Sequence, residues 1–198
     1  MYLQWRRTTR TGLRFTQENR LSLYERTSLF KTYCSTVVPG FLQTPAYAHA
    51  LLSTITRFQE TPDDVDDAVQ ARMRRNRMLH SSLHRFVLLV EESVLRYQIG
   101  TAETMTGQLD HLTRVTGHSS VTFGVIPFAA PDRPIWTLEA FTVFDNSRVH
   151  VELLSAQVTV TAPSEIALYV RAFEKLAAMA VYGDNARSLI AAAAEALR

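Results

Sequence analysis

Residues 141–160 read FTVFDNSRVHVELLSAQVTV, and the fold turns on how this stretch is parsed. Apolar residues alternate with polar ones at Phe141 and Val143, at Val149, Val151 and Leu153, and at Val158 and Val160. That is the period of two expected of a strand with one buried face. Asp145-Asn146-Ser147 supplies turn chemistry between the first two runs. The expectation is an antiparallel meander, joined upstream by the alternation Val121, Phe123 and Val125 that begins after Gly117.

Outside this stretch the period is helical. Residues 12–33 place Leu13, Leu21, Tyr24, Leu29 and Phe30 at mostly three-to-five spacing, which predicts an amphipathic helix. Val37-Val38-Pro39-Gly40 interrupts it as a turn. Thr44-Pro45 is a cap followed by Pro at the first helical position, opening a helix through Tyr47, Ala50, Leu51 and Ile55. Thr61-Pro62-Asp63-Asp64 repeats that signal ahead of the longest helix of the first half. There Val65, Ala68, Val69, Met73 and Leu79 share one side and the arginines fall mostly on the other. Phe86 to Val90 has strand length, and Thr101 starts a helix carrying Met105, Leu109, Leu112 and Val115. Pro163-Ser164 leads a helix that Gly183 ends, and Asp184 or Asn185 caps an Ala-rich terminal one.

The fold class expected is therefore α+β, with a helical first half and terminal helices packed on a small antiparallel sheet. A single domain covers 1–198. It comprises a basic lead-in or linker remnant over 1–20, a mainly helical half over 21–117, antiparallel strands over 118–162 and C-terminal helices over 163–198.

With 198 residues, 46% of them apolar, the chain is long enough for one good core and is not disordered as a whole. No window carries the roughly 18 uninterrupted apolar residues of a membrane span. The start, MYLQWRRTTR, has charge without the apolar segment of a signal peptide. A single cysteine, Cys34, excludes an internal disulfide framework and a cysteine zinc cage, and suits a cytoplasmic location. Charge is uneven: residues 1–31 hold seven Arg or Lys against two Glu, and Arg72, Arg74, Arg75, Arg77 and Arg85 form a second cluster. Either cluster could meet an anionic partner, or form a solvated face balanced by Asp63, Asp64, Asp66 and Asp67. Direct nucleic-acid binding is disfavoured, because the runs lack interleaved aromatics and a reading motif.

There is no phosphate-cradling glycine loop, no G-x-S-x-G elbow and no H-E-x-x-H. Weaker constellations remain. His80 and His84 are four apart, a metal-ligand spacing, but two ligands do not make a site and no metal or other cofactor is expected. His150 and Glu152 share one strand face, either an acid/base pair lining a cavity or the wet side of the sheet. Glu91 and Glu92 follow the apolar strand; a buried one needs a partner, with Arg96 nearest in sequence, as a structural pair or part of a site. Trp136, Phe141, Phe123 and Phe128 are either pocket floor or core.

One motif remains, Val38-Pro39-Gly40-Phe41-Leu42-Gln43-Thr44-Pro45-Ala46-Tyr47-Ala48. Turn and cap chemistry accounts for most of it as a structural elbow, but not for the polar groups of Gln43 and Tyr47. The stretch resembles the signature of an uncharacterised domain found behind Xre-type helix-turn-helix modules in actinobacterial regulators. Ala71-Arg72 with the arginine run, Leu89 to Gly100, Gln108-Leu109, Val125-Ile126-Pro127-Phe128, Ala140-Phe141-Thr142 and Val151-Glu152 follow in the same order, together spanning about residues 20 to 182.

The resemblance implies a cytoplasmic ligand- or partner-sensing domain of a transcriptional regulator, answering to a small-molecule effector or a regulatory protein. A homodimer is possible and no membrane partner is expected. DNA would be contacted only through a helix-turn-helix module that residues 1–20 are too short to hold. The expected ligand-binding residues are Gln43, Tyr47, Glu91, Arg96, Gln108, Phe141 and Glu152, around a pocket between the two halves. The alternative is a stand-alone enzyme of specialised metabolism using Glu91, Glu92, His150 or Glu152 as general acid or base.

Overall fold

A computed structural model describes residues 1–5, 9–10, 12–18 and 20–197, so Arg6 and Arg7 of the basic lead-in lie outside the described residues. In chain order these residues form β1 (Tyr2–Gln4), α1 (Arg14–Glu18), α2 (Leu21–Arg26), β2 (Leu29–Cys34), α3 (Pro45–Gln59), α4 (Val65–Asn76), β3 (Arg85–Glu91) and α5 (Glu92–Arg96). Then come α6 (Ala102–Val115), β4 (Val121–Ile126), β5 (Phe141–Phe144), β6 (Arg148–Glu152), β7 (Ala156–Val160), α7 (Pro163–Met179) and α8 (Gly183–Glu195). Short 3₁₀ turns occupy Gly40–Leu42 and Arg77–His80.

The fold is α+β, and the strands build one mixed sheet in the order β1-β7-β6-β5-β2-β3-β4. The meander β5-β6-β7 pairs antiparallel, as the alternation requires. The sheet is larger than that meander because β2 pairs antiparallel to β5 on one side and parallel to β3 on the other, and β3 pairs parallel to β4. Residues 29–33 were expected to close the helix read over 12–33. Instead Thr27 takes an extended conformation after Arg26, and Asp145, itself in the left-handed region, accepts the Ser28 and Leu29 amides at 3.1 and 2.8 Å. The run Leu29-Phe30-Lys31-Thr32-Tyr33-Cys34 then lies between two partners, where aromatic and β-branched side chains fit a pleated surface. The first residues, expected as a lead-in, contribute the edge strand β1 on β7.

Threonine caps open α3 and α6. Thr44 Oγ1 accepts from the Tyr47 amide at 3.3 Å and Thr101 Oγ1 from Thr104 at 3.1 Å, each satisfying an orphan donor of the first turn. Helix α7 stops at Met179, before the expected Gly183. Val181 pairs instead with Val125 of β4, exchanging bonds of 3.0 and 2.8 Å, and Gly183, at positive φ, opens α8.

The two sheet faces bury separate cores. One holds Tyr33, Leu89, Phe141, Val143, Val149 and Val151 under Ile166, Phe173 and Leu176 of α7. The other holds Phe30, Phe86, Leu88, Val90, Phe123 and Phe144, with Tyr47, Leu95, Met105, Leu109 and Ile190 among the side chains that α3, α5, α6 and α8 lay over it, while Leu13, Leu52, Val65 and Ala68 form a small third cluster. Phe30 is its centre: its ring lies 4.7 Å from Phe86 in a stacked pair and 5.2, 5.6 and 5.8 Å from Phe41, Tyr24 and Phe144. It has no access to solvent, so removing the ring leaves a cavity that four aromatic neighbours can fill only in part. Phe30→Ala is expected to destabilise the chain by about 3–5 kcal/mol, read from urea unfolding midpoints.

Candidate functional site

Helix α4 turns its Val65, Ala68, Arg72 and Arg75 inward, a 3-4-3 spacing that fits one helical face. The cluster was expected to lie mostly on the outer side. Arg74 and Arg77 do, but Arg72 and Arg75 are only 9% and 5% exposed. They reach a hollow of about 380 Å³ between the helices and the antiparallel part of the sheet. Its floor is polar, because Thr32, Thr142 and His150 sit opposite one another on neighbouring strands and Glu152 follows on β6. Valines at 149 and 151 point to the other face, so the face carrying His150 and Glu152 is the one that lines the cavity.

The elbow motif builds the opposite wall. Gln43 donates from Nε2 to the Val38 carbonyl at 2.7 Å and accepts from Arg72 Nη1. Tyr47 donates nothing to the hollow; its hydroxyl accepts the Val38 amide at 3.2 Å. Gln108, fully buried, donates to Leu42 O at 2.7 Å and accepts the Thr44 amide at 2.8 Å. Gly40 leaves room for the guanidinium: a Cβ there would lie 2.8 Å from Arg75 Nη2, which would have to shift. Beside it the Arg75 guanidinium sits 5.0 Å from the Phe41 ring centre and 5.4 Å from Tyr24, a cation–π arrangement.

Charge in the hollow is unbalanced. Arg20 is paired, donating to Glu152 at 2.9 Å and to Gln157 at 2.6 Å. Among the described residues no carboxylate lies within ion-pair distance of Arg72 or Arg75. Their shared acceptor is the neutral Gln17 of α1, at 3.3 Å from Arg72 Nε and 3.2 Å from Arg75 Nη1, and Arg75 Nε is buried without a partner. Burial, then the neighbouring Arg75, pulls Arg72 down to about 9, and burial lowers Arg75 as well. A guanidinium stays protonated at neutral pH, so the depression expresses an uncompensated electrostatic cost. For Glu152 enclosure acts upward, but Arg20, and at longer range Arg72 and Arg75, outweigh it and hold the carboxylate ionised.

The structure thus gathers Gln43, His150 and Glu152 around one hollow, with Phe141 at its border; the Phe141 ring packs on the other face against Tyr169 and Tyr33, 5.0 and 5.7 Å away. It does not bring in Tyr47, Gln108, Glu91, Glu92 or Arg96. Glu91 is gripped by Arg133 through two bonds of 2.7 and 3.1 Å and accepts the Tyr33 hydroxyl at 2.8 Å. Arg96 pairs with Glu92, not Glu91, at 2.9 Å, and Glu92 also accepts the Phe128 amide at 2.9 Å. Both glutamates therefore strap the 127–140 connector over the ends of β3 and β4. Phe128 and Trp136, expected as floor or core, ride on that connector at 62% and 74% exposure. His84 is buried with Nδ1 2.7 Å from Thr27 O, whereas His80 stacks edge-on with His118, so the pair shares no centre. Arg72 and Arg75 were expected only as part of a cluster that could meet an anionic partner, and Arg20 and Gln17 were not singled out; the inward 3-4-3 spacing was the available signal for the two arginines of α4.

His150 has a lowered pKa of about 4, through burial first and then Arg20 and Arg148, with Nδ1 buried and unpartnered. A neutral imidazole is favoured in the fold, so its contribution is complete above pH 6.5 and is lost as pH falls from about 6.5 to 4. Allowing for the part of the ring open to the hollow, the loss is on the order of 1–2 kcal/mol. His111, lowered by burial, titrates in the same direction. Urea unfolding from pH 7 to 4.5 is expected to show a shallower acid loss in His150→Gln than in His111→Gln or the parent chain.

A search of curated proteins returns no match. Among solved structures, the chain is similar to Nuc, a phospholipase D family member from Salmonella typhimurium, at 9% identity and a TM-score of 0.42, covering 84% of this chain and 90% of that one. It is also similar to TrmBL2, an archaeal chromatin protein, at 11% identity and a TM-score of 0.41, covering 87% of this chain and 51% of that one. Residues 21–192 match the family described as a domain of unknown function, DUF5753, a span that includes every residue of the hollow except Arg20. The chain belongs to the DUF5753 family.

Proposed function

We propose that this chain is a ligand-sensing regulatory domain of a transcriptional regulator of the Xre helix-turn-helix kind, with its effector seated in the central hollow. The observation that supports this reading is the bond from both hollow arginines to Gln17 on α1. Asp64, just before α4, accepts the Leu13 and Arg14 amides at 2.7 and 2.8 Å. Helix α1 is therefore held to the α4 segment at its start through Asp64 and near its end through the groups that a ligand would engage, with the exposed pairs Arg14–Asp67 at 3.4 Å and Arg74–Glu18 at 3.7 Å beside them. An effector that draws Arg72 and Arg75 away from Gln17 removes the buried hold, leaves Asp64 and the exposed pairs, and shifts the population of α1 arrangements. The chain leading into α1 is where a DNA-reading module would feel the change.

The second reading, an enzyme, is supported by His150 and Glu152 on one cavity floor. Glu152 is held ionised by Arg20, which suits a base or an electrostatic group and not an acid.

A thermal-shift screen against metabolites tests the sensing reading, since a ligand at a hundred times its dissociation constant adds about 2.7 kcal/mol. With a hit bound, amide exchange at residues 12–18 is expected to change along with exchange around the hollow. Hits that protect the hollow and leave 12–18 untouched refute the coupling.

A further inference from the structure

We infer that the ligand of the hollow is a small organic oxyanion, a carboxylate or phosphate carrying hydroxyl or amino donors, with its charged group between Arg72 and Arg75. The inference rests on the sensing reading above and names the chemistry of its effector.

Two like charges on one buried helix face repel each other and have given up water. Such an arrangement is retained at a cost unless something negative completes it. The surrounding side chains do not. Gln17 and Gln43 offer carbonyl dipoles, Tyr24 and Phe41 offer ring faces, and Glu152 is already engaged by Arg20. Glu139, at the rim, accepts the Tyr169 hydroxyl at 3.0 Å. The buried Nε of Arg75 has no acceptor. Planar guanidinium forks match the paired oxygens of carboxylates and phosphates, and such charge-assisted bonds are roughly twice as strong as neutral ones. At about 380 Å³ the hollow lies at the small end of ligand pockets, the size of a metabolite and not of a peptide.

The rest of the lining is matched to the rest of such a molecule. Thr32 and Thr142 hydroxyls, 3.1 Å apart, and the unpartnered Nδ1 of His150 accept or donate to hydroxyl groups. Glu152, open to the hollow on one side, accepts from an alcohol or ammonium and repels a second negative charge at that end. The wall thus selects a molecule with its anion at the α4 end and donors at the β6 end.

Calorimetry and thermal shift on the whole chain, with inorganic phosphate in one arm and acetate in another, each against sodium chloride at equal ionic strength, separate the two anion sources from general screening. The expected result is a Tm rise in at least one arm, about 5–10 °C at a hundred times the dissociation constant, with chloride inert. Arg72→Met and Arg75→Met are expected to weaken that binding about 10- to 100-fold, while Arg74→Met, on the outer side of α4, leaves it unchanged. Arg75→Met, which keeps an apolar stem against Tyr24 and Phe41, is expected to melt no lower than the parent without anion, because a repelling charge is gone. Equal binding in all three variants, or no response above chloride in either arm, overturns the inference. A response confined to uncharged metabolites overturns it while leaving the sensing reading in place.

Discussion

The organising constraint of this molecule is the burial of two guanidinium groups, one helical turn apart, on the inner face of α4. To hold Arg72 and Arg75 out of water the chain supplies two glutamine carbonyls from separate segments, two aromatic faces and a glycine that leaves room for a nitrogen. These supports come from α1, α2 and the elbow after β2, so the hollow is not an accident of loose packing. It is a place where helix positions, strand order and elbow all answer to one electrostatic demand. Desolvated charge is costly to hold, and the neutral supports stop short of compensating it.

This changes how the elbow is understood. Its turn and cap residues do the local work expected of them: Thr44 caps α3 and the Pro39-Gly40 turn is followed by buried Phe41 and Leu42. Its polar residues divide into two uses. Tyr47 and Gln108 stitch the turn to α3 and α6 from behind, while Gln43 ties the turn to Arg72 and so links the elbow's geometry to the charge in the hollow. A single side chain there ties the turn both to its own backbone and to a buried charge, and for that reason turn chemistry alone left it unexplained.

Much of the architecture was legible in the sequence because it follows from local period. The alternation at 149–153, the helical spacing of Met105, Leu109 and Leu112, and the threonine caps each declare an element without reference to the rest of the chain. What was not legible depended on contacts across long separations. Residues 29–34 become a strand through Asp145 more than a hundred positions away and through partners on both sides, whereas Leu29 and Phe30 in isolation extend the preceding helical spacing. The same limit applied to the site. Gln43 stood out because turn chemistry has no use for its amide, and His150 and Glu152 because alternation puts them on one strand face. Glu91 and Glu92 stood out by their place after the apolar strand, and they hold a connector, because Arg133, forty-two residues on, closes on Glu91 and the Phe128 amide on Glu92. Arg72 and Arg75 were hidden among arginines that do face water, and only the registration of Val65 and Ala68 distinguishes them.

The borders of the sheet carry a consequence of their own. At one end, the backbone of Val181 already occupies the donor and acceptor of Val125 on β4; at the other, β1 offers only three residues. A second copy that tried to extend the sheet by lateral hydrogen bonding at β4 would first have to evict Val181 and unravel the link between α7 and α8. Self-association through continuous backbone pairing is thereby disfavoured at that end, and two copies that meet would do so through side chains on helical or connector surfaces.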